Sequence, residues 1–277
     1  MAYLLLAIAC SAMLSITMRL STGKTRGHFS MIATNYLVCA ILGALYSDFS
    51  LLGQSGGLGL TVGLGAINGI ILPAGLILLQ ISTQKNGIVL SSLFMKLGLL
   101  VPFVMSMIFF GEMPTWLQVA GFCVAIGAIV LFNLKKDGEK SRFGITLLLL
   151  LLINGAADLL VKIFEEVGPA QWGDLFLCFS FLVAFGLSVG LVLYKKERPD
   201  GKAILFGAMI GVANFFSFKF LLAALAYVPA VVAFPTYSVA AMLTVTLSGV
   251  LLFRERLTKR QWLAFAGVIV ALVMLNI

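Results

Sequence analysis

Three ionisable side chains stand inside long apolar runs of this sequence. Lys96 lies near the middle of its run, Lys219 lies in the second half of another, and Asp158 is the acidic residue placed well inside a third. A charge at the centre of an apolar membrane helix costs about 2.5–3.5 kcal/mol, so such residues normally face a protein interior. The two lysines therefore predict a pocket for a carboxylate, a phosphate or another anionic group. The alternative for each lysine is a structural role, in which it bonds helix carbonyls or extends towards the membrane surface.

Asp158 has several chemical uses that the sequence leaves open. Its carboxyl group can accept a proton, bind a cationic group or pair with a buried lysine. Lys162 lies four residues further along, on the same helix face, and is the nearest candidate partner. Arg19 closes the first apolar run and is expected to anchor that helix or to contact substrate at a gate.

Uncharged polar side chains add hydrogen-bonding groups to the same runs. The segment 235–238, which begins with a proline that can free a helix carbonyl, and its counterpart 92–95 beside Lys96 are predicted to form opposing walls of a binding site. Glycines four residues apart, at 59/63, 65/69 and 207/211, predict close helix packing or hinge movement. The predicted substrate-binding set is Lys96, Lys219, Asp158, Asn154, Asn68, Asn214, Ser92, Thr236, Tyr237, Ser238 and Asn35, with Arg19 and Lys162 as gate or ion-pair residues.

The sequence offers little that points to catalysis or metal binding. There is one histidine, and there is no HExxH or ATP-binding loop. The four cysteines lie inside apolar runs without metal-ligand spacing. The net charge of +8 comes without a basic aromatic patch that could stack nucleic acid bases. We therefore expect no enzyme activity, no cofactor, no metal and no nucleic-acid partner.

The composition requires elements that cross a lipid bilayer. Of the 277 residues, 61% are hydrophobic and 11% are charged, whereas soluble domains are about 25% charged. Mean hydropathy is +1.10. A transmembrane helix needs about 20 apolar residues. We predict an all-α polytopic membrane protein with ten transmembrane helices at 2–20, 29–47, 58–81, 87–110, 114–134, 142–163, 172–194, 203–226, 229–253 and 260–277.

Loop charges predict how these helices are oriented. Fifteen of the 19 Lys and Arg residues lie in the loops after the first, third, fifth, seventh and ninth helices. The opposite face has no Lys or Arg in its loops and carries Asp48, Glu112, Glu165, Glu166 and Asp174. Cytoplasmic loops are enriched in Lys and Arg. We therefore predict a multi-pass protein of a prokaryotic cytoplasmic (inner) membrane, with basic loops in the cytoplasm and both termini outside.

An internal repeat appears at an offset of 143 residues. Residues 110–134 and 253–277 share nine of 25 positions at this offset, and the polar matches include Glu112/Glu255, Thr115/Thr258 and Gln118/Gln261. The same offset aligns a polar stripe of the first helix with one of the sixth: Ser11, Ser15 and Arg19 with Asn154, Asp158 and Lys162. We predict two five-helix repeats, 1–137 and 138–277. Because five is odd, the second repeat is inverted, an architecture typical of secondary transporters.

The ten helices and the repeated Glu-x-x-Thr-x-x-Gln motif resemble the EamA-like branch of the drug/metabolite transporter superfamily. The resemblance covers essentially the whole chain. It implies a central cavity lined mainly by helices 1–4 and 6–9, with helices 5 and 10 at the periphery. Family members commonly keep both termini in the cytoplasm, and the loop charges of this chain depart from that pattern. For Glu112 and Glu255, their matched positions predict a structural role near the N-terminus of the next helix, where a carboxylate is favoured.

The function expected from these features is secondary-active or facilitative transport of a small organic solute by alternating access. Inside the predicted helices, one acidic residue, Asp158, stands against four basic residues: Arg19, Lys96, Lys162 and Lys219. This excess of positive charge favours an amino acid, an organic anion or a similar metabolite as substrate. The alternative is a lipid or amphiphile translocase, which would need a lateral opening. The expected partners are the lipid bilayer, a small-molecule substrate and a proton as candidate coupling ion. Monomer and homodimer both stay open.

Overall fold

The computed structural model describes residues 1–21, 24–25, 27–53, 57–86, 91, 94–133, 145–253 and 258–277. Ten helices lie within these ranges: α1 (Ala2–Ser21), α2 (His28–Tyr46), α3 (Leu58–Asn86), α4 (Phe94–Phe109), α5 (Trp116–Asn133), α6 (Ile145–Val167), α7 (Gly173–Tyr194), α8 (Gly201–Leu225), α9 (Ala230–Phe253) and α10 (Lys259–Asn276). Of the described helices, eight are long and apolar enough to cross a membrane, and Phe94–Phe109 and Trp116–Leu131 are shorter apolar helices. The predicted helical, multi-pass membrane architecture is confirmed.

The repeated Thr-x-x-Gln motif forms the start of two helices. At α10, the hydroxyl of Thr258 accepts the N–H of Gln261, and the Gln261 side chain accepts the N–H of Thr258 in return. Thr115 and Gln118 exchange the same two hydrogen bonds at the start of α5. Such a capping box satisfies N–H groups that have no partner in the first helical turn. The motif therefore defines where the last helix of each sequence half begins.

The chain forms two compact units that do not follow its linear order. Unit 1 contains Met1–Pro73 and Leu160–Ala226, and unit 2 contains Ala74–Leu159 and Tyr227–Ile277. Each unit thus combines residues from both halves of the sequence. The predicted repeat boundary at 137/138 lies outside the described residues, and the repeat stays a prediction.

Within unit 1, the repeat-equivalent helices α2 and α7 pack antiparallel. Gly43, near the end of α2, lies against the backbone of Cys178, near the start of α7. At the opposite ends, Glu197, which follows α7, contacts the first turn of α2. An inverted repeat predicts this direction, because equivalent helices then cross the membrane in opposite senses.

Unit 2 contains two further pairs of equivalent helices, and both are antiparallel. Gly121 in the first half of α5 packs against Leu275 at the end of α10. Glu112, which follows α4, accepts a hydrogen bond from the N–H of Val231 in the first turn of α9, at 3.0 Å. Glu112 therefore caps α9, whereas the sequence had placed it near the N-terminus of the next helix, α5. The matching residue, Glu255, lies outside the described residues.

Close helix packing occurs at some of the predicted glycines and not at others. A Cβ atom built at Gly69 would lie 2.4 Å from the carbonyl oxygen of Ser180 on α7, and one at Gly207 would lie 2.5 Å from that of Met31 on α2. Gly211 makes a comparable contact with the carbonyl oxygen of Asn35, at 2.7 Å, and Gly65 makes a looser one with α7, at 3.0 Å. At Gly59 and Gly63, by contrast, a Cβ atom would meet none of the described residues within 4 Å, so the prediction of close packing is wrong for this pair.

The start of α2 depends on a carboxylate from a distant part of unit 1. Gly27, at the N-cap position, offers no side chain, and Glu197 accepts the N–H groups of Ser30 at 2.7 Å and Phe29 at 3.2 Å. We expect Glu197→Ala to lower the free energy of unfolding by about 1 kcal/mol, because two N–H groups at the positive end of the helix lose their acceptor. Unfolding of the detergent-purified protein measures this effect.

Glu197→Gln serves as the matched control for this cap. The amide keeps one acceptor oxygen and loses the negative charge, so its loss of stability is expected to lie between those of wild type and Glu197→Ala. Wild-type stability of both variants would contradict a capping role for this carboxylate.

Candidate functional site

Unit 1 contains a cavity of about 340 Å³. Its walls come from three places: the last turn of α6 with the residues that follow it, the start of α7, and the last two turns of α8. The lining residues are Phe164, Glu165, Gly168, Ala170, Gln171, Gly173, Asp174, Lys219, Leu222, Ala223 and Ala226. This volume is at the lower end of the range of about 300–1,000 Å³ typical of small-molecule sites, so a metabolite is the size of ligand that it can hold.

The Lys219 ammonium occupies one wall of this cavity. Its Nζ donates to Oδ1 of Asp174 at 2.6 Å and lies 4.1 Å from the ring centroid of Tyr46. The side chains of Lys219 and Asp174 are 25% and 30% exposed, respectively. The ion pair is therefore reachable from the cavity, and the Tyr46 ring gives the ammonium a second, cation–π contact.

Lys162 forms a second charged cluster beside the same cavity. Its Nζ donates to Oε2 of Glu165 at 2.8 Å and to Oε1 of Glu166 at 2.5 Å, and its side chain is only 3% exposed. The sequence had pointed to Asp158 as the partner, and the described ion pairs of Lys162 correct this. The long lysine side chain reaches along α6 towards the glutamates of the last turn, where nearby water makes the charges less costly.

The pairing of both lysines changes the charge argument made from sequence. Lys162 and Lys219 were two of the four deep basic residues that favoured an acidic solute. In the structure, three carboxylates stand against these two ammonium groups. The surplus of deep positive charge therefore does not extend to unit 1, and an anion by itself is not the ligand that this cavity favours.

The predicted asparagines of unit 1 bond within the helix packing and do not line this cavity. Nδ2 of Asn214 donates to Oδ1 of Asn35 at 3.2 Å, and Nδ2 of Asn68 donates to the hydroxyl of Ser180 at 3.4 Å. Asn35 and Asn68 are buried. Arg19 is exposed at the end of α1.

Unit 2 holds the other two deep charges, Lys96 and Asp158. Lys96 precedes a 3₁₀ turn, Leu97–Leu99, and both side chains are partly buried. Among the described residues, neither has a hydrogen bond or an ion pair. Asn154 lies on the same helix as Asp158, one turn earlier, and its amide donates to the carbonyl of Leu150 at 2.8 Å.

The remaining predicted residues of unit 2 lie on α9 or outside the described residues. Thr236 is buried and accepts a hydrogen bond from Nδ2 of Asn276 at 3.2 Å, while Tyr237 and Ser238 are partly buried. Ser92 lies outside the described residues, so the predicted opposing walls are not tested. Asn276, which aligns with Asn133 at the offset of 143 residues, was not among the predicted residues and contacts Thr236.

The fold and composition define a polytopic helical membrane protein. Residues 142–277 match the EamA-like transporter family. This part of the chain is therefore an EamA-like transporter family domain, consistent with the drug/metabolite transporter superfamily, and the family supports a membrane transporter of that type.

Two further comparisons extend beyond this domain. An uncharacterized protein of Haemophilus influenzae is 26% identical, over 94% of this chain and 92% of its own length. A solved crystal structure of a protein aligns with 100% of this chain and 98% of its own, with a TM-score of 0.72 and 16% identity. At that identity, the likeness shows the fold alone.

Proposed function

We propose that this protein is a secondary-active or facilitative transporter that moves a small organic solute across the cytoplasmic membrane of a prokaryote by alternating access. The observation that carries the proposal is that Lys96 and Asp158 lie in apolar helices of one unit with no described partner of opposite charge. A charge in such a helix is costly, so it persists where it serves a function. Transport supplies that function, because a solute or a proton can provide the missing partner transiently.

The EamA-like domain supports transport over catalysis, and the sequence contains no HExxH or ATP-binding loop. Asp158 is the candidate site for a coupling proton, since it is the acidic side chain placed deepest in the predicted helices. The basic loops are proposed to be cytoplasmic and both termini to lie outside, as the loop charges indicate. Inner-membrane location and this orientation both rest on the sequence.

Flux into proteoliposomes tests this proposal. Saturable solute uptake that shows counterflow would support a carrier, and its dependence on an imposed pH gradient would identify the proton as the coupling ion. Scrambling of labelled lipid without solute flux would instead favour the lipid or amphiphile translocase. Hydrolysis or group transfer by the purified protein, without flux, would contradict both.

Replacement of Lys96 by alanine is expected to reduce flux per folded molecule by about tenfold or more, the rate equivalent of about 1.4 kcal/mol, because an ammonium that contacts the solute is lost. Flux is measured in vesicles that contain equal amounts of folded protein, determined by size-exclusion chromatography. Lys202→Ala, which removes an exposed lysine from the start of α8, is the matched control and should leave flux unchanged. Equal flux per folded molecule in both variants would remove Lys96 from the mechanism.

A further inference from the structure

We propose that the cavity of unit 1 binds a small zwitterion, with one carboxylate and one ammonium group, by exchange with the Lys219–Asp174 ion pair. The solute carboxylate takes the place of Asp174 on Lys219, and its ammonium binds Asp174. The binding site stands on the geometry of unit 1, and its use in transport rests on the proposed function.

The charges that face the cavity have the arrangement that such a ligand needs. Lys219 and Asp174 lie side by side on its wall, and Glu165 contributes a second carboxylate nearby. Leu222 and Phe164 supply apolar surface for the remainder of the solute. A cavity of about 340 Å³ has room for a solute of metabolite size beside these groups.

A zwitterion satisfies both charges, whereas a simple ion satisfies one. If an anion alone bound Lys219, the carboxylate of Asp174 would lose its partner and face a like charge. If a cation alone bound Asp174, the ammonium of Lys219 would lose its partner instead. The free-energy cost of leaving a partly buried charge unpaired exceeds the free energy gained from the one new ion contact. A ligand that carries both charges replaces both partners at once.

Tyr46 holds the ammonium of Lys219 in place while the solute carboxylate replaces Asp174. Its ring centroid lies 4.1 Å from Nζ, and the ring stacks against Phe215, which is fully buried. Lys219 therefore retains a cation–π contact when Asp174 moves away from it. The lysine stays in place as an anchor, and Asp174 is the partner that shifts.

Thermal unfolding of the detergent-purified full-length protein tests the site directly. The zwitterionic probes are glycine, L-leucine and L-phenylalanine, and 4-methylpentanoate and 3-methylbutylamine present the two charged groups of leucine separately. We expect at least one zwitterion to raise the unfolding midpoint in a saturable manner, because a ligand stabilises the state that it binds. The two single-charge analogues should bind about tenfold more weakly or worse.

Variants assign the binding to this cavity. Lys219→Met and Asp174→Asn should each weaken binding of that zwitterion by about tenfold or more. The double variant removes both charges, so it leaves no unpaired group and should fold well while it still fails to bind. Lys202→Ala, remote from the cavity, should bind as wild type does.

The outcomes separate this inference from the proposed function. Failure of all three zwitterions to bind, equal binding of 4-methylpentanoate, or unchanged binding in both single variants would overturn the inference. Flux of the bound zwitterion that persists in the double variant would overturn the use of this cavity in transport, while the protein would remain a transporter. Zwitterion binding that the cavity variants abolish, in a protein that moves no solute, would support the site and overturn the proposed function.

Discussion

Gly207→Val is expected to lower the free energy of unfolding by about 3 kcal/mol, because the new side chain has no space against α2. A Cβ atom at this position would lie 2.5 Å from the carbonyl oxygen of Met31 and 2.8 Å from Cβ of Thr34. The nearer atom belongs to helix backbone and cannot rotate away. Gly211, one turn later, makes a similar contact with Asn35, so relief would require α8 to separate from α2 along two turns.

Gly63→Val on α3 is the matched control. In the part of the chain that the structure describes, a Cβ atom there would meet nothing within 4 Å, and Gly63 is exposed. The two variants change the same residue type to the same side chain in an apolar helix of unit 1. Unfolding in detergent is measured as the fraction of protein that remains monodisperse after heating. This fraction should fall strongly for Gly207→Val and change little for Gly63→Val. Equal losses would contradict the close contact between α8 and α2.

This comparison shows what glycine spacing can and cannot predict. Gly59/Gly63 and Gly207/Gly211 have the same four-residue spacing, and both pairs lie in apolar helices. The spacing places each pair on one helix face, but it does not say whether that face meets another helix. Only the packing of α8 against α2 distinguishes the tight pair from the exposed one.

The helices themselves were predictable because apolar length and prolines define them locally. Pro73 and Pro235 lie inside α3 and α9, as expected, and Thr115 and Thr258 begin α5 and α10 within two residues of the predicted starts. Contacts between distant segments were not predictable in the same way. Glu112 was correctly expected near a helix N-terminus, but its partner proved to be α9, more than a hundred residues away.

For the two charged clusters of unit 1, the sequence predicted the lysines but not their partners. Lys162 and Lys219 were identified because each interrupts an apolar run. Their partners were assigned to loops of the acidic face and were not connected with the lysines. A sequence places the Cα atom of a lysine, whereas the ammonium lies several bonds away and can reach the next turn of its own helix or the start of another. Proximity of Glu165 and Glu166 to Lys162, at i+3 and i+4, was the signal that could have found this cluster.

Replacement of Glu165 and Glu166 together by glutamine is expected to lower the free energy of unfolding by about 3 kcal/mol. Lys162 is 3% exposed and would keep its charge without the two carboxylates that balance it. Removal of the partners of a buried charge typically costs about 3–5 kcal/mol, and the lower value applies here because Glu165 and Glu166 are 18% and 37% exposed. Unfolding of the purified protein, measured against an increasing fraction of denaturing detergent, gives the difference.

A triple variant that adds Lys162→Met to these two substitutions identifies the cause of the loss. It removes the ammonium as well, and methionine retains most of the apolar length of the side chain, so it should recover most of the stability. Lys162→Met alone should cost less than the double variant, since the glutamates it leaves unpaired can turn towards water. If the triple variant is no more stable than the double, an unbalanced lysine is not the source of the loss, and the two glutamates stabilise α6 by other contacts.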